Sequence, residues 1–176
     1  MANRPSRSPR SGCPVNRALE IFGDRWSLLI VRDLMVRAYR TFGEFQCSGE
    51  GIATNILADR LKKLEAGGIL TAEAAAEDGR SAHYRLTEKG IALAPVMLEL
   101  LIWGAHHEDT DAPCAVIDHM EQNRAAVLAE TYRRWRQRDP TPLLPPFTSS
   151  QSKSAKTTSA ATPNRKSIAS KGKSRR

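Results

Sequence analysis

Residues 41–86 read TFGEFQCSGEGIATNILADRLKKLEAGGILTAEAAAEDGRSAHYRL, and the fold turns on this stretch. Thr41 is a helix cap. Phe42 and Phe45, three positions apart, face a core from the short helix it opens. Ser48-Gly49-Glu50-Gly51 then breaks the pattern. Glycine lets the chain reverse within a few residues, so the next helix meets the first at a steep angle. That next helix, residues 53–66, carries Ile56, Leu57, Leu61 and Leu64 on one side. Its other side shows Thr54, Asn55, Ala58, Asp59 and Lys62, and Gly67-Gly68 stops it. Residues 69–75 and 81–86 read as two strands, although the alanines of the first are weak strand formers. Glu77-Asp78-Gly79-Arg80 reads as the hairpin turn between them.

Upstream, Pro14 suits a first helical position and opens a helix with Val15, Leu19 and Phe22, stopped at Gly23. Asp24 caps a second helix with Trp26, Leu29, Ile30 and Leu34 on one stripe and Val31 and Met35 beside it. So broad an apolar face marks a central core helix. Downstream, Thr87 caps a helix of roughly 18 residues carrying Ile91, Ala94, Leu98, Leu101 and Ile102. Pro95 lies inside it and predicts a kink. After a loop at 109–113, one further helix is expected over 115–138. Its buried seam would be Ile117, Met120, Ala125, Leu128, Tyr132 and Trp135.

Helix, helix, helix, helix, strand, strand, helix is the order of a winged helix-turn-helix. The predicted fold class is therefore mainly α (α+β), with a two-stranded wing, an additional C-terminal helix and a disordered basic tail. The 176 residues divide into an N-terminal arm (1–12), a winged helix-turn-helix domain (13–108), a linker with the additional helix (109–139) and the tail (140–176). Both ends are rich in Ser, Pro, Lys and Arg and poor in large apolar residues, a composition that does not bury enough surface to fold.

Charge is uneven along the chain. The net charge is +8, and residues 140–176 hold eight Lys/Arg and no acid. The body therefore has as many acids as bases, and overall basicity is no argument for its contacts. Three widely spaced cysteines, Cys13, Cys47 and Cys114, form neither a disulfide framework nor a CxxC zinc pair. His106 and His107 are adjacent and point about 100° apart on a helix, so no metal site is expected. No P-loop, GxSxG, HExxH or strand-linked GxGxxG is present, and neither enzymatic activity nor a cofactor is expected. The N-terminal arginines lack the apolar run of a secretory signal. The apolar stretch 91–105 is interrupted by Pro95 and Glu99 and reads as too short for a membrane span. Together these predict a cytoplasmic protein.

The second helix of such a motif presents its N-terminal residues to the major groove. Short polar side chains suit that position. Asn pairs with adenine through two hydrogen bonds, and Thr meets a thymine methyl or donates a hydrogen bond. Thr54, Asn55, Ala58 and Asp59 are thus the candidate base readers. Arg40, Thr41, Lys62 and Lys63 are candidate phosphate anchors, with Arg80 at the wing tip and Arg85 as a second basic wing residue. Read one at a time, Thr54 and Asn55 also serve as helix caps, and the basic residues as solvated surface. A protein-interaction module, with the tail on an acidic partner or RNA, is the alternative reading.

Several segments, in unbroken order from Cys13 to His107, resemble a known family. They are Cys13-Pro14-Val15, the run from Gly23 through Leu34, Arg40-Thr41-Phe42-Gly43-Glu44-Phe45, the run from Gly51 through Glu65, Tyr84-Arg85-Leu86-Thr87-Glu88-Lys89-Gly90 and Trp103-Gly104. Together they resemble the HxlR-type helix-turn-helix regulators of bacteria. The resemblance implies a homodimeric transcription factor, usually a repressor, on double-stranded DNA of two-fold symmetry, with a small-molecule or oxidant effector as a further partner. It implies a dimer contact through the first helix and the helix after the wing, here Val15, Leu19, Phe22, Leu98, Leu101 and Ile102. It also places Cys13 where several members carry a redox-sensing thiol. A helix N-terminus and nearby Arg10 and Arg17 would favour the thiolate, while a structural cysteine is the plainer reading. Ala53 departs from the serine common at that position, and the wing is short and alanine-rich.

Overall fold

The computed structural model describes residues 11–74 and 82–144. It is mostly helical with one two-stranded antiparallel sheet, a winged helix-turn-helix. The order is α1 (Pro14–Phe22), α2 (Arg25–Val36), α3 (Phe42–Gln46), α4 (Thr54–Ala66), β1 (Leu70–Ala74), β2 (Ala82–Leu86), α5 (Glu88–Ile91), α6 (Ala94–His107), α7 (Cys114–Gln122) and α8 (Arg124–Gln137).

Local chemistry sets the boundaries. Pro14 opens α1, and the Gly23 N–H closes it on Leu19 O at 2.7 Å. A Cβ at Gly23 would sit 2.3 Å from that same oxygen, so this tight reversal requires glycine. Asp24 caps α2, accepting from Ser27 N at 3.0 Å and from Ser27 Oγ at 2.8 Å. Thr41 and Glu44 form a reciprocal capping box on α3. Gly49 and Gly51 have φ of 87° and 72°, values that explain why the turn into α4 is glycine-rich.

α2 is the central helix. Ile30, Val31 and Leu34 are buried against Phe45 of α3, Leu57, Leu61 and Leu64 of α4, and Ile69, Leu70 and Leu86 at the base of the wing. The strands pair Leu70 with Leu86, Ala72 with Tyr84 and Ala74 with Ala82. The outer edge of β2 is also engaged, since Tyr84 N donates to Arg40 O at 2.7 Å. The predicted hairpin turn, with Arg80, lies outside the described residues.

A buried carboxylate ties α2 to the glycine turn. Asp33 is 2% exposed. Its Oδ1 accepts from Arg32 Nε and NH2, at 3.0 and 2.8 Å, and from Arg37 NH1 at 3.2 Å. Arg32 NH1 then reaches Glu50 at 2.7 Å, and Arg37 NH1 reaches Ser48 O at 3.0 Å. Both acceptors lie in the turn that sets the direction of α4.

Three expectations need correction beyond the wing. The helix after the wing is not kinked at Pro95 but broken into α5 and α6. Pro95 occupies the first turn of α6, where its missing N–H removes no helical bond. The expected single C-terminal helix is also two, α7 and α8, parted at Asn123. The break resets the phase of the apolar seam. Ile117 and Met120 are buried, Leu128, Tyr132 and Trp135 are half-buried, and Ala125 is exposed. Finally, the tail does not leave the body at Pro140. Leu143 N and Leu144 N donate to Val36 O at 2.8 and 3.3 Å, and Leu144 packs beside Leu98 and Met120. Residues 145–176 lie outside the described residues.

By length and composition, residues 88–107 do match a membrane span, at 20 residues and mean hydropathy 1.2, contrary to the reading of 91–105. Core helices pass the same test, and here Ala94, Met97, Leu98 and Ile102 are buried within the fold.

Asp33→Ala should lower stability by about 3 kcal/mol, because it removes the carboxylate shared by two largely buried guanidinium groups. Urea unfolding of the two proteins measures this. An unfolding midpoint equal to wild type would show that the network does not hold the turn.

Candidate nucleic-acid interface

α3, the glycine turn and α4 place the N-terminal end of α4 at the surface. Ala53 occupies the N-cap position without a side-chain cap. Thr54 does not replace it as a cap, because its Oγ1 accepts from Gln46 Nε2 at 2.7 Å. Thr54, Asn55 and Asp59 are exposed and Ala58 is half-buried. The inward face, Leu57, Leu61 and Leu64, is fully packed, which fixes the direction of the outward one. Asp59 lies 3.4 Å from Arg60 NH2, so its charge is partly matched within α4.

Gln46 is the surface residue that the sequence reading missed. It stands on the last turn of α3, exposed, and fixes the hydroxyl of Thr54 across the turn. No periodicity signals a contact between residues eight apart on two different helices.

The basic candidates divide. Lys62 is exposed. Lys63 lies 3.7 Å from Asp24, which also holds Arg60 at 3.3 Å. Burial alone would raise the Asp24 carboxyl. The Ser27 hydrogen bonds, followed by Arg60 and Lys63, outweigh it and hold the carboxyl below its ordinary range. Asp24 therefore joins the start of α2 to the middle of α4.

Arg40 and Arg85 do not face outward, contrary to expectation. Arg40 NH1 donates to Leu34 O and Tyr39 O, each at 2.7 Å, closing the end of α2. Burial pushes its guanidinium below the usual range, opposed by the Glu44 charge and helped by Arg85. Arg85 NH2 donates to Trp135 O at 2.7 Å, and the guanidinium lies 5.1 Å from the Trp135 ring centroid. Thr41 is occupied by its capping box with Glu44. Burial would raise the Glu44 carboxyl, yet hydrogen bonds from Arg40 N, Thr41 N and Thr41 Oγ1 bring it below the ordinary range.

The expected dimer residues divide as well. Val15 and Leu19 are 66% and 56% exposed on α1, whereas Phe22 packs against the core. Leu98 and Ile102 are buried with Met120, and Leu101 packs against the same cluster. α7 and α8 cover that face of α6. The apolar residues left outside are Val96, Leu100 and Trp103, spaced four and three apart on another face. Cys13 is exposed at the α1 N-cap, and Arg17, a proposed neighbour of its thiolate, pairs instead with Glu20 at 2.8 Å. Among the described residues no group of three or more His, Cys, Asp or Glu is placed to hold a metal ion.

A sequence model described as HxlR-like helix-turn-helix matches residues 21–112, spanning α2 through α6. The chain belongs to the HxlR-like helix-turn-helix family. It is 31% identical over 100 residues to the uncharacterized HTH-type transcriptional regulator YybR of Bacillus subtilis (strain 168), covering 57% of this chain and 79% of YybR. It is 37% identical over 92 residues to the HTH-type transcriptional regulator YodB of the same strain, covering 52% of this chain and 81% of YodB. Among solved structures, the protein PA1607 superposes with a TM-score of 0.53 at 44% identity, over 57% of this chain and 69% of that one. The redox regulator HypR in its oxidized form superposes with a TM-score of 0.50 at 32% identity, over 56% of this chain and all of HypR. This HxlR-like protein is thus a transcriptional regulator with a DNA-binding helix-turn-helix. α7 and α8 lie beyond the segment matched to the family.

Proposed function

We propose that the protein is a repressor that binds a two-fold symmetric operator as a homodimer, in the cytoplasm at the nucleoid. The carrying observation is the exposed N-terminal end of α4. Thr54 and Asn55 stand free of the core there, and Gln46 sets the Thr54 hydroxyl. α4 enters the major groove, where Thr54, Asn55, Ala58 and Asp59 meet base edges. Lys62 and Lys63 lie further along the helix, toward phosphates. The wing turns toward the minor groove or backbone. Domain 13–108 supplies reading and pairing, and α7 and α8 are an addition to it.

Pairing uses the unpartnered apolar residues, Val15 and Leu19 of α1 with Val96, Leu100 and Trp103 of α6. One α4 offers few base contacts, so useful affinity requires two. Cys13 is the proposed thiol sensor, because it is exposed at a helix N-terminus and HypR, a similar protein, is a redox regulator.

The basic test is a gel shift on DNA upstream of the gene, against a scrambled control, at several salt concentrations. Preference for the upstream DNA supports the reading, and equal binding of both DNAs contradicts it. Asn55→Ala should cost about 1–3 kcal/mol at one base position and relax discrimination there. A variant that still ranks operator mutants as wild type does removes Asn55 from base reading. Trp103→Glu should shift the protein from dimer to monomer in sedimentation equilibrium, with unchanged circular dichroism. A dimer that persists would place the interface elsewhere. With Cys13→Ser, operator binding should no longer respond to a mild thiol oxidant. A response like that of wild type would eliminate Cys13 as the sensor.

A further inference from the structure

We infer that the cavity between the wing and α8 binds a small organic anion, an aromatic or branched carboxylate. The cavity has a volume of about 310 Å3, within the range of small-ligand sites. Leu34, Met35, Ile91 and Trp135 supply an apolar wall. Arg40, Arg85, Arg134 and Arg138 supply its cations.

The state of those arginines identifies the ligand chemistry. Arg134 pairs with Glu130 at 2.7 Å and Arg138 pairs with Glu73 at 2.9 Å. Arg40 and Arg85 have no carboxylate within ion-pair distance among the described residues. Arg40 uses a single nitrogen, NH1, for both of its carbonyl bonds, and Arg85 uses NH2 for Trp135 O. The other guanidinium nitrogens of both residues have no protein partner among the described residues. The nearby acids are engaged elsewhere. Glu44 Oε2 accepts from Arg40 N, Thr41 N and Thr41 Oγ1. Asp139 accepts from Thr141 N and Oγ1 and lies 3.3 Å from Arg133.

Two like charges thus share a partly buried space. Consistent with this, burial depresses the Arg40 guanidinium pKa, the Glu44 charge opposes that, and the Arg85 charge adds to the depression. Buried charge is costly unless paired, and carbonyl dipoles offset only part of that cost. A guanidinium matches a carboxylate through parallel N–H donors. A ligand with a carboxylate toward Arg40 and Arg85 and an apolar body against Trp135 meets both unmet needs. Inorganic phosphate meets only the charge, and a neutral aromatic meets only the wall. Arg85 belongs to β2 and Trp135 to α8, so the occupant bridges the wing to the helices beyond the family match. The inference stands apart from the DNA-binding reading, since the site and its test need no DNA.

The test is a titration of the full-length protein with sodium benzoate, following the indole N–H resonances of its tryptophans by NMR. The Trp135 N–H donates to Leu86 O at 2.7 Å and lies at the cavity, while Trp26 and Trp103 act as internal references. The Trp135 resonance should shift saturably with benzoate, while benzyl alcohol or inorganic phosphate at the same concentration leaves it in place. Arg85→Gln should weaken benzoate binding about tenfold or more, and Arg85→Lys should weaken it less, each judged beside its far-UV circular dichroism. A Trp135 resonance indifferent to benzoate in the wild-type protein would overturn the site. So would an equal response to benzyl alcohol, or a folded Arg85→Gln variant that binds as wild type does.

Discussion

The direction of α4 depends on one buried carboxylate. Asp33 sits near the end of the central helix, with two guanidinium groups on a single oxygen. Alone, such a buried anion would be costly; paired and hydrogen-bonded it is tolerated. Its function in the fold is positional. Each arginine that it holds extends to the glycine turn, Arg32 to Glu50 and Arg37 to Ser48 O. Glycines at positive φ make that turn sharp but do not make it rigid. The Asp33 network supplies the missing restraint, so the direction of α4 is set from α2 as well as by its own apolar side.

A second tie acts at the other end of α2. Asp24 caps α2 while holding Arg60 and Lys63 of α4. The two acids thus bind the central helix to the helix-turn-helix at both of its ends. They also draw basic groups inward, which leaves Lys62 as the exposed cation of α4. Polar bonding in this body chiefly fixes orientation, in keeping with a body whose acids and bases are equal in number.

The C-terminal helices alter the shared architecture. α7 and α8 bury Leu98 and Ile102 with Met120, so α6 presents Val96, Leu100 and Trp103 instead. α8 also grips the wing. Trp135 Nε1 donates to Leu86 O, Arg85 donates to Trp135 O, and Arg138 pairs with Glu73 of β1. The wing is therefore braced from behind, and its basic side chain at position 85 is used for that brace.

Much of the fold was legible in the residues themselves. The caps at Asp24, Thr41 and Thr87, the stops at Gly23 and Gly67, and the apolar spacing of α2 and α4 are local signals with local causes. The shared motifs gave the family. The polar entrance at Thr54 and Asn55 was readable for the same reason, since a residue opposite an apolar stripe must face outward. What the sequence could not decide was the partner of each long side chain. Arg40, Lys62 and Arg85 look alike in one dimension. Yet Arg40 closes a helix end, Arg85 lies on Trp135 from 50 residues away, and only Lys62 stays in solvent. Leu98 and Leu100 are equally apolar, and which is covered depends on a helix pair whose phase resets at Asn123. Periodicity reports that a helix has an inner face. Tertiary packing decides what that face meets, because the covering atoms come from distant parts of the chain.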